Sequence, residues 1–208
     1  MSRWILAAAL CAAVSSAPVG AQSVADRAGM SRAKGQADAK LVVLEIADFQ
    51  CPYCARFAVD VYPRIDSAYV KSGKVQWVFV NMPLPNHGHA WLASEAALCA
   101  GGTGNAFWRM HDHLFENQAE WSASPQPAPL FRRYAQQAGV SLEAWDACVG
   151  GDQVASLILQ DFMFGMARGI NGTPAFLVGN DQQVVGLKSF EEWQAVLDGA
   201  LKKAAAKQ

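Results

Sequence analysis

The order of elements in this sequence predicts an α/β domain: a mixed central sheet flanked by helices, with an all-helical insertion in the middle of the chain. Three observations predict it. Apolar runs of strand length stand at residues 41–46, 75–80 and 175–178. Helical patterns without strand signals fill the long stretch between Pro83 and Gly169. The chain then closes on a hairpin signal and a capped amphipathic helix. A β-α-β opening with a hairpin finish places parallel and antiparallel neighbours in one sheet. The 208 residues fit one domain with a large insertion, and a hydrophobic content of 52% is enough for a buried core. The net charge of −1 gives no basic surface for nucleic acid.

At the N-terminus, Arg3 supplies a short positive segment, residues 4–14 an Ala-rich apolar one, and Val19-Gly20-Ala21 a small-residue site. This is the pattern of an export signal cleaved after Ala21. Cys11 is then discarded with it, since Leu10 stands where a lipoprotein signal needs a small residue. No apolar run of membrane-spanning length follows. Residues 22–40 are polar and without clear periodicity, so a loose leader is expected there.

Residues 41–46 are nearly continuously apolar, which suits a strand buried on both faces. The chain turns through Asp48-Phe49-Gln50 into Cys51-Pro52-Tyr53-Cys54, and Phe57, Ala58, Val61, Ile65, Ala68 and Tyr69 then recur at helical spacing. Pro52 fits the first turn of that helix, Pro63 is expected to kink it and Gly73 to end it. Residues 75–80 form a second strand. Four or five helices are expected in the insertion, broken by Gly101-Gly102-Thr103-Gly104 and by the prolines at 125–129. Strand signals return at residues 175–178 and 183–185, with Asn180-Asp181 as a two-residue turn. The final helix starts at a capping box of Ser189 and Glu192 and carries a stripe of Phe190, Trp193, Val196, Leu197, Ala200 and Leu201. The division is thus 1–21 signal, 22–40 leader, 41–84 first part of the α/β domain, 85–168 helical insertion, and 169–208 second part.

The strongest chemical signal is Cys51 and Cys54 at a strand-to-helix junction. A cysteine at a helix N-terminus gains from free N–H groups and the helix dipole, which favour the thiolate. A second cysteine one turn further in can close a short disulfide ring. Cys51 is therefore expected to be the exposed, reactive sulfur and Cys54 the more buried one. Pro52 and Tyr53 carry no charge, so the helix terminus must supply most of the stabilisation. A Cys-x-x-Cys can instead be half of a zinc site. Here no second pair stands at zinc-like spacing, and His87 and His89 read as isolated loop residues, so no metal is expected. His111 and His113 do not share a helix face and read as packing and surface residues. Gly172-Thr173-Pro174, just before a strand, is a weaker signal: proline belongs at a strand's first position.

Asp48-Phe49-Gln50-Cys51-Pro52-Tyr53-Cys54, Phe107-Trp108 with His111-Asp112-His113-Leu114-Phe115, and Gly172-Thr173-Pro174 together resemble the DsbA-like family of periplasmic thiol–disulfide oxidoreductases. The likeness runs from about Gly35 to Leu201. It implies a thioredoxin fold interrupted by a helical domain. It also implies that Cys51 is the nucleophile, Cys54 the resolving cysteine, and Pro174 a cis-proline facing the pair. Thr173, Pro52 and Tyr53 then contact substrate, and Glu45 matches a buried acid behind the site. A carboxylate buried there would be raised in pKa and fit to relay a proton to or from Cys54. The alternative for Glu45 is a satisfied core carboxylate. Relatives carry a second disulfide in the helical part, which the resemblance extends to Cys99 and Cys148; the alternative is two buried free thiols. The implied substrates are unfolded or reduced exported proteins, and the implied partner is a DsbB-like membrane protein that reoxidises the pair, with no bound cofactor. Met82, Pro83 and Leu84 are expected near the site rim, where with Phe49 and Tyr53 they would form an apolar docking surface; ordinary loop packing is the alternative.

Two positions depart from the family pattern. Tyr53 stands where the oxidases have His, and Thr173 where they often have Val; both look like the DsbG and DsbC isomerases. Those carry an N-terminal dimerisation domain, for which the 19 residues between Ala21 and the first strand leave no room, so a monomer is expected. An isomerase or reductase using the same pair is the nearest alternative. A chaperone or metal-binding protein on the same scaffold is the alternative of another class.

Overall fold

The computed structural model describes residues 22–179 and 182–206; the export signal expected at residues 1–21 lies outside the described residues. Among the described residues no helix is long and apolar enough to cross a membrane. One five-stranded sheet forms the centre, in the order β1-β3-β2-β4-β5. It consists of β1 (Ala33–Lys34), β2 (Leu41–Ala47), β3 (Val75–Asn81), β4 (Ala175–Val178) and β5 (Gln182–Val185). β2 and β3 run parallel in the register Leu41↔Val75 to Ala47↔Asn81, and the other pairs are antiparallel. This is the mixed sheet the element order predicts.

Residues 22–40 are not a loose leader. Ser23 and Asp26 close a capping box on α1 (Val24–Ser31), and β1 pairs with β3 as an edge strand. The signal was present in the sequence as Ser-x-x-Asp, but with Asp in place of the usual Glu or Gln. α1 lies on α4 (Ala90–Gly104). A Cβ at Gly101 would meet Ser31 Oγ at 2.1 Å, and one at Gly102 would meet the Val24 carbonyl at 2.5 Å. The glycines expected to break this helix are therefore sites of close approach. The helix runs through them and ends at Asn105, which takes the left-handed conformation at φ 48°.

Between β2 and β3 the chain forms α2 (Pro52–Arg56), a wide π-helical turn (Phe57–Val61), α3 (Tyr62–Ile65) and a second wide turn (Asp66–Val70). The expected kink at Pro63 takes this form: the proline sits in the first turn of α3, directly after a wide turn. Phe57, Tyr62, Ile65 and Tyr69 pack with Trp77, Phe176 and the stripe of α10 (Phe190–Ala205), where Trp193 and Leu197 are buried. The Ser189–Glu192 capping box is present.

The insertion between β3 and β4 holds six helices among the described residues, not four or five: α4, α5 (Phe107–Glu116), α6 (Gln118–Ser122), α7 (Ala128–Gln137), α8 (Leu142–Gly150) and α9 (Ala155–Ala167). α6 is one turn of five residues, separated from α5 only by Asn117, and so short an element shows no apolar period to read. In the hairpin, Val178 pairs with Gln182, which leaves three intervening residues rather than two. Gly179 enters that turn at φ 62°; Asn180 and Asp181 lie outside the described residues.

Cys99 and Cys148 form a disulfide between α4 and α8. Cys99 lies within α4 rather than at its end. The bridge spans a sequence separation of 49, for which the chain-entropy model gives about 4 kcal/mol. Residual structure in the unfolded chain reduces that figure, so the expected loss in a Cys99→Ala, Cys148→Ala double variant is about 3 kcal/mol. Urea unfolding of oxidised protein measures it; an unchanged midpoint would show that the bridge adds nothing to the packing.

Candidate active site

β2, β3 and β4 bring the site together. The C-terminal end of β2 leads into the Asp48–Gln50 turn, which delivers Cys51 as the N-cap of α2, in extended backbone at φ −72° and ψ 122°. Pro52 starts the helix, where its missing N–H is no loss. Opposite, the Thr173–Pro174 peptide is cis and precedes β4. Cys51 Sγ donates to the Thr173 carbonyl at 3.3 Å. The buried Thr173 hydroxyl has no partner beside the thiol and can turn to the sulfur once it is a thiolate. The sequence motifs separated by more than a hundred residues thus face each other across one site.

The two sulfurs are free thiols, and both are buried: Cys51 is not the exposed sulfur the sequence led one to expect, because the Thr173–Pro174 segment covers it. Cys51 is pulled down to about 6, chiefly by the Cys54 side chain, against the opposing effect of burial; Thr173 and the N–H groups of Cys54 and Tyr53 add to it. Cys54 has no exposed surface, and burial pushes its thiol well up, helped by the neighbouring Cys51 sulfur. Such a pair combines a thiolate at neutral pH, a good nucleophile and leaving group, with a partner that stays protonated.

Glu45 lies on β2, on the face that also carries Val43 and Ala47 beneath the active-site helix. Its Oε2 accepts from Trp77 Nε1 at 2.7 Å, while Oε1 has no partner. Burial raises its pKa to about 7, with the Trp77 hydrogen bond opposing. Folded Glu45 thus keeps its proton up to about pH 7, whereas the ordinary value is 4.5. Between those values the folded state binds more protons than the unfolded state. Stability therefore falls as pH rises from 4.5 to 7 and is level above. The shift corresponds to a loss on the order of 3 kcal/mol. Glu45→Gln is expected to remove most of that fall, measured as urea unfolding of the oxidised protein at pH 5 and pH 8. Equal falls in both proteins would refute the assignment.

Of the other residues singled out, Pro52 and Tyr53 are exposed beside the cysteines, with Tyr53 at 55%. Phe49 and Met82 are not rim residues: both are core, Phe49 stacked on Phe79 at 4.8 Å. Pro83 and Leu84 are half-buried. His111 is buried among Phe49, Phe79 and Phe115, and burial lowers its pKa. Among the described residues no cluster of three or more His, Cys, Asp or Glu is arranged to hold a metal.

Sequence reasoning missed three groups that hold the turn. Asp48 is fully buried: Oδ1 accepts from Gln50 N at 2.7 Å, and Oδ2 from Leu84 N at 2.7 Å and His87 Nδ1 at 2.8 Å. His87 is therefore not isolated on its loop. Gln50 Oε1 accepts from His89 N at 2.7 Å. From α6, Gln118 Nε2 donates to the carbonyls of Phe49 at 2.6 Å and Cys51 at 3.0 Å. The Asp48-to-Gln50 bond is an Asx turn, a local signal that could have been found. The partners at 84, 87, 89 and 118 leave no local signal.

The family described as Thioredoxin matches residues 27–199. The chain is 28% identical over 174 residues to disulfide bond formation protein D of Bacillus subtilis, covering 81% of this chain and 76% of that protein. It is 33% identical over 172 residues to Na(+)/H(+) antiporter NhaA 3 of Salinispora tropica, covering 82% of this chain but 25% of the antiporter. It thus spans about a quarter of that relative's length. The crystal structure of oxidised BdbD from Bacillus subtilis superposes with a TM-score of 0.74 at 26% identity, over 82% of this chain and 92% of that one. With the sheet, the helical insertion and the facing cysteine and cis-proline motifs in place, the chain belongs to the thioredoxin family, in its DsbA-like group.

Proposed function

We propose that this protein is a thiol–disulfide oxidoreductase that introduces disulfides into exported proteins by exchange at Cys51–Cys54. The observation that carries the reading is the placement of the pair: Cys51 caps α2 with its Sγ 3.3 Å from the Thr173 carbonyl beside the cis Pro174, and Cys54 lies fully buried one turn further in. A substrate thiolate attacks Sγ of Cys51 in the oxidised pair. The Cys51–Cys54 bond breaks, a substrate–Cys51 mixed disulfide forms, and Cys54 leaves and takes up a proton. A second substrate thiolate then attacks the substrate sulfur of the mixed disulfide and expels Cys51 as a stabilised thiolate. The substrate loses two electrons and gains a disulfide; the enzyme ends as a dithiol.

In this reading Glu45 relays the proton to or from Cys54 through the interior. Thr173, Pro52 and Tyr53 contact the substrate chain, with Pro174 holding its backbone against the pair. Cys99–Cys148 is structural. The dithiol is reoxidised by a DsbB-like membrane protein. The chain acts as a monomer in the periplasm after cleavage behind Ala21. The divisions 41–84, extended back to take in β1, and 169–208 serve as the two parts of the catalytic domain around the insertion 85–168.

Cys-Pro-Tyr-Cys with Thr173 before the cis-proline favours a second reading, an isomerase or reductase that starts from the Cys51 thiolate. Rapid alkylation of living cells separates the two by the resting state of Cys51 and Cys54. A pair held mostly as disulfide supports the oxidase. A pair held mostly as dithiol means that a reducing partner maintains it and moves the assignment to isomerase or reductase.

A further inference from the structure

Three contacts grip the turn before Cys51, and one differs in kind. Asp48 and Gln50 bind it to the loop that follows β3. Of the three, only Gln118 reaches it from a helix of the insertion, α6, and only its side chain bonds the main chain of Cys51. Both of its partners are carbonyls, so the end of the amide facing them is the nitrogen, its only donor. The Cys51 carbonyl also accepts the Ala55 N–H at 3.1 Å, the first intrahelical bond of the active-site helix. Gln118 thus fixes the peptide groups on both sides of the turn at the point where the helix begins.

We infer that Gln118 is a positioning residue through which the helical insertion sets the reactivity of Cys51. The inference rests on the reading of Cys51 as the exchanging sulfur. After the Cys54 side chain, which is the largest influence on the Cys51 sulfur, the N–H groups of Cys54 and Tyr53 add to the thiolate's stabilisation, and they do so only while they aim at Sγ. Their aim follows from the backbone angles at Cys51, and those angles are held by carbonyls whose outer donor is the Gln118 amide. Without it the two carbonyls turn toward water, the turn gains freedom, and the donors spend less time on the sulfur. The coupling works in the other direction too: a ligand that shifts α6 relative to β2 alters the same angles.

The test uses the full chain and its Gln118→Met variant, which keeps the side-chain length and removes the donor. The thiolate of the reduced protein is titrated by its ultraviolet absorbance, and the equilibrium with glutathione is measured alongside. The expected result is an upward shift of the Cys51 titration, leaving roughly three- to tenfold less thiolate at pH 6. The glutathione equilibrium shifts toward the protein disulfide, because the reduced state has lost part of its thiolate stabilisation. A contact that merely holds the fold would move the unfolding midpoint and leave both readouts in place; superimposable titrations and equilibria would overturn the inference. Gln118→Ser, compatible with the start of a helix, carries the same reading should the Met variant not fold. A wild-type protein that does not exchange with glutathione would sink the proposed function instead, whereas a wild type that exchanges beside an identical variant sinks only the role of Gln118.

Discussion

Cys51→Ser is expected to bring disulfide exchange down to the uncatalysed background, a loss of roughly a thousandfold or more, because the serine hydroxyl is neither a thiolate nor a disulfide partner. Cys54→Ser is expected to behave differently. Its Cys51 remains beside Thr173 and the helix N-terminus, so it still attacks a disulfide and forms a mixed disulfide. No second sulfur is then present to resolve it, and the adduct accumulates. The asymmetry follows from position: Cys51 caps α2 and faces Thr173, whereas Cys54 lies inside the helix with no exposed surface. Incubation of each reduced variant with a model disulfide, followed by non-reducing electrophoresis, reads the adduct. Equal adduct formation by both single variants would mean that either sulfur can attack, which is incompatible with the geometry.

Asp48→Ala is expected to destabilise the protein by roughly 3–5 kcal/mol. Three donors lose their acceptor at once: the N–H groups of Gln50 and Leu84 and the ring nitrogen of His87. The two N–H groups are part-buried, so their lost hydrogen bonds are only partly replaced by water. The loop after β3 is then released from the turn before Cys51, so the loss should extend beyond stability to the rate of exchange. Urea unfolding measures the first and a glutathione exchange rate the second. Asp48→Asn separates charge from shape: its oxygen can still accept from two donors, but its amide nitrogen opposes the third, and an intermediate loss is expected. A variant as stable as wild type would show that water replaces the carboxylate, and the assignment of Asp48 as the knot of the turn would fall.

Much of this arrangement was legible in the chain itself. The cysteine pair declared its position because Pro52 and the apolar periodicity after it mark a helix start, and a cysteine there has a stated chemical advantage. The α10 stripe was readable because its capping box and its apolar period agree. Glu45 was reached through the family resemblance, not through a local pattern. What stayed hidden depends on contacts that no local pattern encodes. Gln118 and Cys51 are 67 residues apart and meet only because α6 folds back on the turn. Asp48 and His87 are 39 apart. The glycines of α4 misled for a related reason: the same residue type serves to break a helix or to admit a neighbour, and only the position of α1 decides which. α1 itself was within reach of reasoning, since its Ser23–Asp26 box is local.

The wide turns at Phe57–Val61 and Asp66–Val70 have a bearing on how this enzyme tolerates change in length. Each holds one residue more than an α-helical turn, equivalent to about 100° of rotation about the axis. The two ends of this helical segment answer to different neighbours. The first end faces Thr173 and Pro174 with its cysteines, while the second is moored to α10 by Tyr69 to Asp198 at 2.9 Å and Arg64 to Glu191 at 3.1 Å. The wide turn between them acts as a phase adjuster. Deleting a single residue there would swing the cysteine pair about a quarter-turn out of register with the cis-proline while the second end keeps its ties to α10. The same rotation would take Phe57 and Cys54 from the core, so insertions and deletions in this helix are constrained by angle as well as by space.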